Sequence, residues 1–300
     1  MEACLSDIQC GNVHHGPGIR TRVVVKGCPL HCMWCDNPET QKFRPELSFR
    51  TSMCTECGSC AEVCPHGIHR FADEKHTVEY KNCVACGRCA DACPSEAIRL
   101  LGQNMTVGEV LTIVLKERAS YEQSGGGVTV SGGEPLSQAD FVAALFARCR
   151  EQEVHTCLET SGYGSPQSLR MVMPVTDLFL FHWKMSNRRD SMRYLGVSIS
   201  PILRSLRTLM ENDCNVLLRC LIVPGVNDTM EHFDSIARLL DAYPNLLGVE
   251  LLPYGDLVGQ DGRCTGAQPR NFYPPSAAES MRWEAYFIER GYHQVRLMRP

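Results

Sequence analysis

The chain has 300 residues, a formal net charge of −4 and 44% hydrophobic residues. That is enough to bury a sizeable core, and too nearly neutral for a surface built to hold nucleic acid or a membrane. No apolar run reaches bilayer length, and the opening Met-Glu-Ala-Cys-Leu-Ser-Asp lacks the basic and apolar stretches of a secretory leader, so a cytoplasmic protein is expected.

Gly16-Pro17-Gly18 signals a turn ahead of a first strand, Arg22 to Gly27, whose Val23, Val24 and Val25 suit a strand buried on both faces of a parallel sheet. Cys28, Cys32 and Cys35 follow at the strand end as CxxxCxxC. A structural zinc or an ordinary iron–sulfur cubane takes four protein ligands. Three thiolates leave one iron open to bind a small molecule and pass it an electron. A zinc knuckle completed by His31 or Asp36 is the alternative at this point.

Residues 46–102 are a different kind of sequence. Cys54, Cys57, Cys60 and Cys64-Pro65 are repeated as Cys83, Cys86, Cys89 and Cys93-Pro94. This is the bacterial two-cluster ferredoxin run, in which the fourth cysteine of each run ligates the other cluster. One [4Fe–4S] cluster is therefore expected on Cys54, Cys57, Cys60 and Cys93, and a second on Cys83, Cys86, Cys89 and Cys64. Eighteen cysteines in all, eleven of them in these three motifs, speak for metal rather than disulfides and for a reducing, anaerobic cell. Cys149 and Cys157 lie in apolar patterns and read as core, and Cys264 stands apart from every motif.

From Thr106 the chain alternates helices and strands. Thr106-x-x-Glu109 is a capping box, and Ser137-Gln-Ala-Asp140 is expected to open a helix carrying Phe141, Leu145 and Cys149 on one face. Strands are expected at 128–130, 154–158, 178–181, 216–223 and 246–252, with a short terminal strand at 295–297. Helices are expected at 201–210, around Phe233 to Leu240, and at 277–290. Alternating units of this kind imply a parallel sheet with right-handed crossovers, here a partial (β/α)6 TIM-like barrel with its site at the strand C-terminal ends. The barrel is assigned to residues 1–45 and 103–300, and the ferredoxin-like insertion to residues 46–102. Polar clusters fall at those strand ends: Gly132-Gly133-Glu134, Glu159-Thr160-Ser161-Gly162-Tyr163, Lys184, Arg219 and Leu252-Pro253-Tyr254.

CxxxCxxC with Trp34 before its last cysteine resembles the radical S-adenosylmethionine (SAM) enzymes. Gly16-Pro17-Gly18-Ile19-Arg20-Thr21, Ser124-Gly-Gly-Gly-Val-Thr129, Ser131-Gly-Gly-Glu134, Glu159 to Tyr163, Pro224-Gly-x-Asn-Asp228 and Leu251-Leu-Pro-Tyr254 narrow the resemblance to the glycyl radical enzyme activating enzymes, in the type that carries a two-cluster insertion. The resemblance implies an oxidoreductase that reductively cleaves SAM and abstracts hydrogen from a glycine of a partner enzyme. It implies three [4Fe–4S] clusters, a flavodoxin or ferredoxin electron donor, a monomer, and neither nucleic acid nor membrane as partner. It places Trp34 by the adenine. It puts Gly132, Gly133 and Glu134 at the SAM amino group, and Glu159, Lys184, Arg219 and His182 around the other polar groups. Gly16, Pro17, Gly18, Ile19 and Arg20 are set at the docking mouth.

Three positions depart from the family pattern. His15 and His182 stand where aspartates are usual, and Gly255 where a histidine is usual. His182 is expected to stand in for that missing imidazole by donating a hydrogen bond to SAM. Other readings are a divergent protein that keeps its clusters for electron transfer without SAM cleavage, and a radical SAM enzyme acting on a small molecule.

Overall fold

The computed structural model describes residues 1–72, 75–255 and 272–298; Cys264 lies outside them. The strands in chain order are β1 (Glu2–Asn12), β2 (Arg20–Val25), β3 (Glu46–Phe49), β4 (His69–Ala72), β5 (Lys75–Val78), β6 (Ile98–Leu101), β7 (Gln103–Thr106), β8 (Gly127–Gly132), β9 (His155–Thr160), β10 (Leu178–His182), β11 (Val216–Ile222), β12 (Gly248–Pro253) and β13 (Val295–Leu297). Nine of them form one sheet in the order β13-β12-β11-β10-β9-β8-β2-β1-β7. From β2 to β13 every neighbour is parallel, while β1 runs antiparallel to both β2 and β7. The two edges do not pair with each other among the described residues, so the barrel is partial.

Strand alternation gives the sheet two different faces. Val23, Val25, Val128, Val130, Leu158, Phe179, Phe181, Val216, Leu218 and Cys220 belong to the large core shared with the crossover helices. The opposite face carries a small apolar floor of Cys157, Leu178 and Leu180, with Leu217 packed against it. Further along that face stand Glu159, His182, Arg219 and Glu250. The register sets Leu180 beside Glu159, His182 beside Arg219, and Arg219 beside Glu250. An apolar floor on β9 to β11 thus lies beneath an ionised layer that reaches one strand further, to β12.

Two details differ from the sequence reading. β1 and β7 were not anticipated, since Ser6, Asp7 and Gln9 interrupt any apolar run in β1. Ser137 does not cap the helix Ala139–Glu151. Pro135, with its φ preset for a helical turn, starts a 3-10 turn over Pro135–Gln138, and the Glu134 side chain caps it through the Leu136 N–H at 3.0 Å. The expected apolar face survives, with Phe141, Leu145 and Cys149 all buried. The capping box of Thr106 and Glu109 forms as expected on Val107–Lys116.

Between β2 and β7 the chain builds a separate small unit. β3 pairs with β6 and β4 with β5, both antiparallel. Its buried apolar residues are few among those described: Leu47, Cys60, Ile68, Cys89, Ala97 and Ile98. The fully buried Lys26, just past β2, holds the entrance. Its ammonium donates to Glu46 at 2.8 Å and to the Glu39 carbonyl.

Candidate functional site

Cys28, Cys32 and Cys35 sit in the loop that leaves β2. The loop is hung on the opposite rim of the barrel: His31 N–H donates to the Leu195 carbonyl at 2.8 Å, and Met33 N–H to that of Tyr194 at 3.0 Å. Burial pushes the Cys28 and Cys35 thiols up to about 12, helped by Glu134 and Asp36 respectively, and raises Cys32 as well. Three half-buried thiols with no disulfide among them stay protonated, and only as thiolates are they ligands. A metal that binds all three draws off their protons and supplies the positive charge their thiolates need. Lys184 stands near them: burial opposes its charge, but the field of Cys32, Asp36, Cys35 and Cys28 outweighs burial and its pKa is raised.

The Gly-Gly-Glu stretch at the end of β8 is stitched to this loop. Gly133 N–H donates to the Val25 carbonyl and Glu134 N–H to that of Gly27, both at 2.8 Å. Gly132 has φ +109°, and a Cβ there would lie 2.5 Å from the Val25 oxygen; one on Gly133 would collide with the Gly27 and Thr40 carbonyls. The glycines let two loops touch. Glu134 is itself turned inward. Its carboxylate accepts from Thr160 Oγ1 at 2.5 Å, Ser161 Oγ at 2.5 Å and Ser161 N–H at 2.9 Å. Burial raises its pKa, and these hydrogen bonds pull the other way.

The ionised layer centres on Glu159. One carboxylate oxygen meets His15 Nδ1 at 2.6 Å; the other meets His182 Nε2 at 2.8 Å and Arg219 Nη1 at 2.9 Å. Arg219 also donates to Glu250 at 2.7 Å and to the His14 carbonyl at 2.7 Å. Burial works against the Glu159 charge, but His15, His182 and Arg219 together hold it well below the usual carboxylate range. For His182, burial and the neighbouring charges of Lys184 and Arg219 outweigh Glu159 and lower its pKa. A neutral His182 facing an ionised carboxylate must carry its proton on Nε2. The expected donor toward a ligand is therefore already used. What remains is Nδ1, a buried acceptor with no partner among the described residues.

These groups surround one cavity of about 370 Å³. Its wall includes Cys28, Cys32, Cys35, Trp34, Gly132, Gly133, Glu159, His182, Lys184 and Arg219. Trp34 is 2% exposed and its Nε1–H, like His182 Nδ1, finds no partner among the described residues. A wall with a bare donor, a bare acceptor and three half-buried thiols fits a polar ligand beside a metal cluster. Glu134 is not part of the wall. Nor are Gly16 to Arg20, although His14 and His15 just before them are. Arg20 is wholly buried, bonded to Thr129 Oγ1 at 2.6 Å and to the Val128 and Pro17 carbonyls at 2.7 and 3.0 Å, so it braces the turn from beneath. Gly255, at φ +102°, leaves room for no side chain, since a Cβ would come 2.8 Å from that of Pro274. Sequence reading missed Arg22, which lines the cavity and donates to Ser131 Oγ at 2.6 Å. The alternation Arg20-x-Arg22-x-Val24 was the available signal.

In the insertion, Cys54, Cys57, Cys60 and Cys93 line one small hollow, with Phe71, His76 and Ile98. Cys93 comes from the second run, as the crossed pattern requires. The backbone repeats too. Glu56, Gly58 and Gly67 have φ of 57°, 80° and 54°, and their counterparts Ala85, Gly87 and Glu96 have 53°, 82° and 51°. The left-handed turns aim Glu56 N–H at Cys54 Sγ and Ala85 N–H at Cys83 Sγ, each at 3.4 Å. Both donor sets fit a cubane.

Comparison with known proteins agrees with this geometry. Residues 80–240 match the radical SAM superfamily, residues 53–98 a 4Fe-4S dicluster domain and residues 14–69 a 4Fe-4S single cluster domain. The chain is 37% identical to the choline trimethylamine-lyase activating enzyme of Oleidesulfovibrio alaskensis, over 84% of each chain. It is 41% identical to the (2S)-3-sulfopropanediol dehydratase activating enzyme of Klebsiella oxytoca, over 78% of this chain and 75% of that one. QueE from Escherichia coli shares the fold at 12% identity and a TM-score of 0.50, over 100% of this chain and 95% of the other.

Proposed function

The chain belongs to the glycyl radical enzyme activating enzymes of the radical SAM superfamily, and from that premise we propose how its own residues carry out the activation. The observation that carries the reading is the single cavity in which Cys28, Cys32 and Cys35 meet the unpartnered Trp34 Nε1 and His182 Nδ1. Cys28, Cys32 and Cys35 hold a [4Fe–4S] cluster with one open iron, and Cys54, Cys57, Cys60, Cys93 and Cys83, Cys86, Cys89, Cys64 hold two closed ones. With SAM bound, the cluster on Cys28, Cys32 and Cys35 would supply one electron to break a carbon–sulfur bond of SAM, and the carbon radical so released would take hydrogen from a glycine of the partner enzyme.

The protein's share is to bind, orient and exclude water. Trp34 donates from Nε1 to the adenine end of SAM, in a pocket dried by Leu30 and Tyr254. His182 Nδ1 accepts from a ligand N–H or O–H, and the ionised Glu159 fixes that tautomer. Gly132 and Gly133 offer backbone to the SAM amino group, while Glu134 ties the loop from behind. Lys184 balances the negative charge of the thiolates. The turn at Gly16 to Gly18, braced by Arg20, borders the mouth where the partner's glycine loop enters. The electron arrives from a flavodoxin or ferredoxin, and the protein works as a cytoplasmic monomer. Among the described residues no helix is long and apolar enough to cross a membrane.

Anaerobic reconstitution tests the reading. About twelve irons per chain and dithionite-driven release of 5′-deoxyadenosine are expected. About four irons, or zinc in their place, overturns the three-cluster assignment, and redox-active clusters without SAM cleavage overturn the activity assignment for this site.

A further inference from the structure

The two halves of the insertion repeat with an offset that places Cys83 on Cys54 and Ala85 on Glu56. The same offset places Ile98 on His69 and Leu100 on Phe71. The strand partner of Phe71 is His76, and that of Leu100 is Leu47. Where one half has two buried histidines, the other therefore has Ile98 and Leu47. His69 and His76 are 5% and 4% exposed. Their rings bond to each other, His69 Nδ1 to His76 Nε2 at 3.0 Å. His76 Nδ1 lies 3.4 Å from Cys54 Sγ, and its ring is gripped between Phe49 and Phe71 at centroid distances of 4.3 and 4.5 Å.

The direction of this chain follows from chemistry. A sulfur bound to iron accepts hydrogen bonds and donates none; His76 Nδ1 stands 3.4 Å from Cys54 Sγ and its Nε2 3.8 Å from Cys60 Sγ, so the nearer contact takes the proton and Nδ1 donates to Cys54. Its Nε2 is then an acceptor, and His69 Nδ1 is the donor to it. His69 Nε2, left bare, has no partner among the described residues. By the same logic Ser59 Oγ donates to Cys57 at 3.5 Å and Ser95 Oγ to Cys93 at 3.7 Å. All three sulfurs belong to one cluster. Among the described residues no side chain donates to Cys83, Cys86, Cys89 or Cys64. Both clusters have their backbone donor, Glu56 N–H or Ala85 N–H. Among the described residues only one has side-chain donors.

Resting on the cluster ligation proposed above, we propose that His76, fixed by His69, makes the cluster of Cys54, Cys57, Cys60 and Cys93 the more easily reduced of the two auxiliary clusters. Reduction adds one electron from the external low-potential donor and makes the cluster one charge more negative. No bond breaks and no proton is taken up. A hydrogen bond to sulfur stabilises the more negative state, and so raises the potential. The two auxiliary clusters then fill in a set order, with this one as the resting place of the first electron.

The test is an EPR-monitored redox titration of the reconstituted full-length protein at one fixed pH, with iron counted first. Two separate auxiliary midpoints are expected. His76→Leu, which copies Leu47 of the other half, should lower the higher one by about tenfold in its reduction equilibrium, or about 59 mV for one electron, and leave the other in place. His76→Gln, which can still donate, should recover part of the shift, and Ser95→Ala should give a smaller shift of the same sign. These two variants keep the question open to measurement if His76→Leu does not retain iron. A full iron count with coincident midpoints, or with midpoints unmoved in the variants, overturns the inference alone. A short count with zinc held by Cys60, His69 and His76 overturns the ligation reading and the inference with it.

Discussion

The barrel mouth and the insertion solve one problem, holding cysteines around iron, in opposite ways. At the mouth the scaffold is finished by protein. The Cys28 loop is tied to Leu195 and Tyr194, Gly-Gly-Glu to Gly27, and Glu159 to three basic groups. The insertion has a handful of buried apolar residues, and five of its cysteines are among or against them. A core that small does not hold a fold alone. The mouth is thus built to bind its cluster, and the insertion is built by its clusters.

Removing iron should separate the two most sharply. In chelated protein, or in Cys57→Ala/Cys86→Ala, hydrogen exchange over residues 46–101 should fall to the level of open chain, while β8 to β11 keep their protection. The double variant should assemble the Cys28–Cys32–Cys35 cluster yet activate the partner slowly or not at all. Equal loss of protection in both regions would erase the contrast drawn here.

Next in size is the ionised layer. Arg219→Met leaves the buried Glu159 and the half-buried Glu250 without their guanidinium, and should cost the barrel about 3–5 kcal/mol in denaturant unfolding while leaving the insertion's iron content unchanged. The layer also sets an acid limit. The Glu159 pKa is depressed on folding, so its contribution is complete above the unfolded carboxylate value of about 4.3 and is lost as pH falls through the folded value. Acid unfolding of the barrel in that low window should be blunted in Glu159→Gln.

A smaller effect concerns His182. Deleting one hydrogen-bond acceptor should weaken SAM binding about tenfold in His182→Ala, measured anaerobically by equilibrium dialysis. Protonation removes that acceptor and adds charge beside Lys184. Wild-type affinity should therefore hold at neutral pH and fall only below the ordinary imidazole value of about 6.5, because the ring is depressed from it. In His182→Ala the profile should be flat. Smallest is Thr106→Ala, which removes the cap of the first helix after the insertion; it should lower barrel stability by about 1 kcal/mol and leave the iron count unaltered.

Legibility followed the range of the interactions. Thiolate spacing is local, so all eleven motif cysteines could be read directly, and helix faces such as Phe141, Leu145 and Cys149 announce themselves by period. Glu159 was legible as a strand-end carboxylate, but its partners were not. His15 and Arg219 lie 144 and 60 residues away; Arg219 meets it through strand register, and His15 through the turn between β1 and β2. Arg20 looked like part of an exposed turn because nothing in Gly-Pro-Gly-Ile-Arg tells which way the guanidinium folds. His69 and His76 were invisible for the same reason, since their pairing depends on the β4–β5 hairpin.

The neck at Lys26 has a modular reading. Glu46 and Leu101 are direct strand partners, so the chain enters and leaves the insertion through adjacent backbones, about 5 Å apart. Lys26 clasps the entering side at Glu46 and packs against the leaving side at Gly102, where a Cβ would come within 2.6 Å of its Cδ. A gap that narrow is closed by a tight turn. The whole insertion is therefore replaceable by such a turn without redrawing any barrel strand, and Lys26 marks the seam.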